Sequence, residues 1–104
     1  MAQLDTQPIS SAGIEPSYEA ATSGGDSCAP GTFLHYKNGH SEAQTVTLVT
    51  PGSFAGLAIA DRAIQIAAGD ECMVRVGDEY RDPSTGLCSI TYSGVTALTV
   101  GCFR

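Results

Sequence analysis

The sequence predicts an all-β protein: a small β-sandwich or barrel of about seven or eight strands behind an extended N-terminal arm. Three observations predict it. From Thr32 onward, apolar and polar residues alternate with a period of two, the pattern of half-buried strands. Turn-forming pairs such as Asn38-Gly39, Pro51-Gly52, Gly77-Asp78 and Ser93-Gly94 separate the alternating runs. No segment carries a sustained helical period.

The expected strands follow in order. From Thr32 to Asn38, Leu34 and Tyr36 share one side, and Phe33, His35 and Lys37 the other. Residues 44–50 are rich in β-branched side chains, with Val46 and Leu48 opposite Thr45 and Thr47. Leu57 and Ile59 start a short strand or a turn of helix, and Ile64 and Ile66 a further strand. Across 54–66 a helical face with Phe54, Leu57 and Ala58 competes, but the β-branched Ile59, Ile64 and Ile66 favour strand. Cys72, Val74 and Val76 alternate with Met73 and Arg75; Cys88, Ile90 and Tyr92 alternate with Ser89 and Thr91. Val95 to Phe103 is the last strand, with Leu98, Val100 and Cys102 on one face.

Residues 1–30 have another character. They hold three large aliphatics, Leu4, Ile9 and Ile14, four acids and no Lys or Arg. Pro8, Pro16 and Gly24-Gly25 interrupt any regular element. So little apolar area does not offset the entropy of ordering the segment. We therefore divide the chain into an extended arm, 1–30, and a β-domain, 31–104. The competing reading of 1–30 is a disordered tail. Ile14, Pro16 and Tyr18, at alternate positions, instead favour an arm that orders on a partner.

Composition excludes several functions. A net charge of −6 with only five basic residues argues against nucleic-acid binding, which needs cations on the phosphates. No apolar run of membrane-spanning length occurs. The first residues, Met1-Ala2-Gln3-Leu4-Asp5, do not read as a secretory signal, so thiols are expected to begin reduced.

Candidate chemistry is sparse. Cys28, Cys72, Cys88 and Cys102 include no Cys-x-x-Cys pair, which argues against a metal. Buried thiols or one disulfide between neighbouring strands remain open, with Cys28 in the arm as the accessible cysteine. His35 and His40 are the only histidines, and no Gly-x-Ser-x-Gly or His-Glu-x-x-His motif accompanies them. His35 is expected on a solvated face and His40 in a turn. Asp78, Glu79 and Asp82 with Arg75 and Arg81 read as a solvated charged loop. No catalytic residue, metal or cofactor is expected.

The order of segments resembles a known family. Gly24-Gly25-Asp26-Ser27 leads to Gly31-Thr32-Phe33-Leu34-His35-Tyr36-Lys37-Asn38-Gly39, then Gln44-Thr45-Val46-Thr47-Leu48 and Ala67-Ala68-Gly69. Cys88-Ser89-Ile90-Thr91-Tyr92-Ser93, Val95-Thr96-Ala97-Leu98-Thr99-Val100 and the terminal Phe103-Arg104 complete the series. Over about residues 12–104 this is similar to small structural proteins of tailed bacteriophages, commonly encoded beside the major capsid protein. The departures are Tyr36 in place of the usual Val, the four cysteines, and Val76-Gly77-Asp78-Glu79-Tyr80 in place of a proline-rich segment. The resemblance implies a capsid decoration protein on the outer surface of the virion, made in the host bacterial cytoplasm. Its partner would be the major capsid protein, with self-association, a trimer as a guess, left open. Neither nucleic acid nor membrane is an expected partner. Ile14, Pro16 and Tyr18 would form the capsid-binding arm. The alternatives are a head–tail connector or other minor virion protein, and, third, a non-viral binding module.

Overall fold

The computed structural model describes residues 2–51, 53–58 and 60–104. Two sheets form a small all-β sandwich. The strands in chain order are β1 (Ala2–Gln3), β2 (Thr6–Gln7), β3 (Glu19–Ala20), β4 (Asp26–Cys28), β5 (Thr32–Asn38) and β6 (Gln44–Leu48). They continue with β7 (Ser53–Phe54), β8 (Leu57–Ala58), β9 (Arg62–Ile66), β10 (Glu71–Val76), β11 (Cys88–Tyr92) and β12 (Leu98–Phe103). One sheet has the order β1-β4-β11-β6-β9; the other is β10-β5-β12-β2, with β3 also on β12. The pair β7-β8 stands apart as a hairpin.

The alternation read from sequence sets which side chains face inward. Leu34 and Tyr36 of β5, Val46 and Leu48 of β6, Val74 and Val76 of β10, and Leu98 and Val100 of β12 fill the space between the sheets. Their neighbours Lys37, Met73 and Arg75 point outward. At about 25 cal/mol per Å² of buried apolar surface, this inward row is the main stabilising contribution.

Two polar groups are buried with it. Tyr92 donates to Asp26 Oδ2 at 2.7 Å. Its hydroxyl proton is thus committed, and Tyr36 donates to Tyr92 across the sandwich at 3.0 Å. Burial pushes both phenols above their usual range. Asn38 is the second group. Its Nδ2 donates to the carbonyls of Glu42, Ile66 and Ala67, and its Oδ1 accepts from His40 N and Gln44 Nε2. One side chain thereby ties the β5–β6 turn to the end of β9.

Among the described residues from 53 to 66 the regular elements are the strands β7, β8 and β9, with no helix. Ala55 and Gly56 both take positive φ, 53° and 80°, and make the two-residue turn of the β7-β8 hairpin. Ile59 and Gly52, expected in a strand and at its stop, lie outside the described residues. The last strand begins at Leu98, not at Val95, because Ala97 turns the chain with φ of 52°.

The division at residue 30 needs correction. The N-terminal segment is extended, but it is built into both sheets. β1 pairs with β4, and β2 and β3 lie along β12. Between β1 and β2 the chain crosses from one sheet to the other. Leu4, at that crossing, is 3% exposed, and its N–H donates to Ser27 at 2.7 Å. The physical reason is that β4 and β12 each have an edge of backbone donors and acceptors to satisfy. The N-terminal backbone satisfies them whatever its side chains.

Candidate functional site

The three residues singled out in the arm come together on one surface. They lie on the outer face of the β10-β5-β12 sheet, around an open groove of about 290 Å³ lined by Ile9, Ile14, Pro16, Tyr18, Phe33, His35, Met73 and Phe103. Strand register explains the grouping. Met73 of β10, His35 of β5 and Gly101 of β12 are direct partners, and so are Arg75, Phe33 and Phe103 one row along. Phe33 and Phe103 stack with ring centroids 5.7 Å apart. Tyr18 packs edge-on to Phe103 at 5.9 Å and to His35 at 5.5 Å.

Gly101 makes room for these rings. A Cβ at this position would stand 2.8 Å from the Phe103 ring and 3.1 Å from Tyr18 Cδ2. The residue is therefore glycine for space, at an ordinary strand conformation.

The loop that carries Ile9, Ile14 and Pro16 is closed at its neck by one side chain. The Gln7 amide donates to Ser17 O at 2.7 Å and accepts from Ser17 N at 2.8 Å, imitating a strand pairing. Backbone bonds from Ile9 to Arg104 O and from Arg104 to Gln7 O fasten the same neck to the C-terminus. At the tip, Gly13 takes φ of 85° and its N–H donates to Ser10 O. The loop is anchored at both ends while its apolar side chains stay exposed: Ile9 by 53% and Ile14 by 37%, beside Met73 at 63%.

His35 is not the solvated surface residue that strand alternation suggested. Its side chain is 20% exposed and sits between two partners. Nε2 lies 2.9 Å from Glu71 Oε1, and Nδ1 lies 2.7 Å from the Tyr18 hydroxyl. A carboxylate only accepts, which assigns the neutral ring's proton to Nε2 and leaves Nδ1 to accept from Tyr18. Lys37 Nζ stands 4.2 Å from the Tyr18 ring centroid, a cation–π contact. Tyr18 is thus fixed from three sides and anchors the segment to the sheet. We read the trio as a fastening.

Ile9, Phe33, His35, Met73 and Phe103 were missed as members of this face. Phe33 gave no decisive signal, since a single apolar residue on a strand's outer side is ordinary. Ile9 and Met73 gave none either, because their proximity depends on tertiary pairing.

The cysteines also require correction. Cys28, expected to be the accessible one, is fully buried, as is Cys88; Cys102 is 1% exposed. Cys72 faces inward as expected and packs against the core, but it is only half-buried, near the start of edge strand β10. Cys28 is covered because β1 lies against β4 and β11 pairs on its other side, with Cys88 directly opposite.

No protein-family model, curated protein or solved structure matches this chain.

Proposed function

We propose that this protein is a capsid decoration protein of a tailed bacteriophage, which docks on the assembled head through the Ile9–Ile14–Met73 face and stabilises the shell. The observation that carries the reading is the apolar face itself. Large aliphatic side chains are held exposed over a stacked aromatic floor by a loop whose neck is fastened. Exposed apolar groups on an ordered loop favour binding, because little entropy remains to be lost when a partner covers them. The resemblance of the order of sequence segments to small virion proteins suggests the partner, the major capsid protein. Repetition over a shell multiplies modest contacts into firm attachment. Binding the assembled state in preference to free subunits stabilises that state by mass action.

Co-sedimentation of the full chain with assembled heads tests this. Ile14→Asp and Met73→Asp should retain the thermal transition of the parent, since both side chains are exposed, and should weaken binding at least tenfold. Heads without the protein should form but burst at lower temperature. Undiminished saturation by both variants would move the docking surface elsewhere. Binding of about six or twelve copies at a single vertex, instead of many over the shell, would replace decoration with the connector reading.

A further inference from the structure

Three thiols that the docking face does not use are buried together in the core. Cys28 belongs to β4 in one sheet, and Cys102 to β12 in the other. The backbone brings these two strands close at this point. Leu4 N–H is bonded to Ser27, next to Cys28, while Thr6 is the register partner of Cys102. Asp5 alone separates those two attachments, and two residues of extended chain reach at most about 7 Å. The Thr6 hydroxyl lies 3.8 Å from Cys102 Sγ, the Cys28 and Cys102 side chains are both buried in one core cluster, and hydrogen bonding between the two thiols is the first cause of their opposite pKa shifts. Among the described residues no three His, Cys, Asp or Glu side chains converge as a metal site requires, so Cys88 does not turn the pair into one.

We propose that Cys28 and Cys102 are a dithiol that oxidises to a disulfide linking the two sheets and locking the N-terminal segment to the C-terminal strand. The oxidant is a low-molecular-weight disulfide. Cys102 reacts first, as thiolate, because the hydrogen bond from Cys28 pulls its thiol below the usual range, whereas Cys28, as the donor, is held above it. The Cys102 sulfur attacks one sulfur of the small disulfide, forms a mixed disulfide and expels one small thiolate. Cys28 then loses its proton and attacks the Cys102 sulfur; the second small thiolate leaves. Two protein thiols are oxidised by two electrons, and one small disulfide becomes two thiols. Access is at a cavity of about 210 Å³ between the N-terminal strands and β12, whose lining includes Leu4, Gln7, Tyr18 and Cys102. With Cys102 only 1% exposed, the first attack waits on β2 lifting from β12. The link would close most of the chain into one loop, and restricting the unfolded state in that way raises stability strongly.

Incubating the reduced full-length protein with oxidised glutathione, then measuring intact mass, peptide linkage and melting temperature, tests the proposal. The expected product is a monomer lighter by two hydrogens, with a Cys28–Cys102 peptide. Its Tm should rise by roughly 10 °C or more and fall back on addition of dithiothreitol. Trypsin leaves Cys88 and Cys102 on one peptide, so Cys88→Ser resolves the partner; this variant should form the same link, and Cys102→Ser should not. Should Cys102→Ser fail to fold, mapping of the parent and Cys88→Ser proteins still decides. A Cys28–Cys88 link, a retained glutathione adduct, a disulfide between two chains, or no oxidation of the folded protein would each overturn it. The proposal does not depend on the docking face, and neither result bears on capsid binding.

Discussion

The central strands β5 and β12 and the N-terminal segment are held in the sandwich by different means. β5 buries Leu34 and Tyr36 completely and pairs along its whole length on both sides, with β10 and β12. The N-terminal segment contributes two apolar side chains to the core before β4, Leu4 and Ala21. The rest of its attachment is backbone pairing of β1, β2 and β3, the Gln7 clamp on Ser17, and Tyr18 on His35. Side-chain burial stabilises by area; backbone pairing mainly avoids the cost of leaving sheet edges unsatisfied. A segment poor in apolar residues can therefore be structural when it supplies what an edge strand lacks.

The largest way to break the packed region is alkali. Burial first of all raises the pKa values of Tyr36, Tyr92 and Cys88; for Cys28 the hydrogen bond to Cys102 comes first and burial second. Each of these groups is neutral when protonated, and each holds its proton more tightly folded than unfolded. Their contribution is complete below the ordinary values of 9.0 for Cys and 10.0 for Tyr, and is lost as pH rises past them. Cys102, shifted down to about 6, runs the opposite way: its contribution grows as pH rises from about 6 to 9 and is constant above that. Unfolding midpoints in urea should rise between about pH 6 and 9, where the Cys102 contribution grows, and then fall steeply as the raised groups lose theirs. A flat profile to pH 11 would mean that these groups are not packed as described.

Truncations come next. Leu34→Ala should cost about 3–5 kcal/mol and Leu4→Ala about 2–3 kcal/mol, read from denaturant midpoints at constant slope. The comparison is sharpest here. If Leu4→Ala costs under about 0.5 kcal/mol, the crossing between the sheets is a loose tail after all.

Gln7→Ala should cost only about 1 kcal/mol, the usual net worth of such hydrogen bonds. Its clearer sign is local: proteolysis within residues 8–16 should speed up several-fold while cleavage of β5 and β12 does not change. Equal rates in variant and parent would show that the loop neck is held without the clamp.

The smallest effect is on labelling order in the reduced protein. Cys72 should react first with a bulky thiol reagent, and Cys28 and Cys88 only after unfolding. Fast native labelling of Cys28 would place β4 outside the core.

Much of the fold was legible because strand alternation is local. Each of Leu34, Tyr36, Val46, Leu48, Val74, Val76, Ile90, Leu98 and Val100 could be given an inward face from its own neighbours, and each is buried. The candidate site was legible in part. Ile14, Pro16 and Tyr18 were noticed as apolar residues in a polar segment, and they lie on one groove. Their companions Phe33, His35, Met73 and Phe103 come from three strands that are distant in the chain, and no local pattern joins them.

The sequence by itself determined the all-β class, the inward faces of the long strands and the position of most turns, because each follows from a few consecutive side chains and backbone angles. It took the tertiary structure to show that residues 2–7 and 19–28 are built into the sandwich, that Cys28 is buried opposite Cys88, and that His35 is fastened between Tyr18 and Glu71. Those outcomes depend on which free strand edge a segment satisfies and on which residues the register then makes neighbours. Backbone hydrogen bonds are the same for every residue type, so the side-chain sequence carries almost no record of that choice.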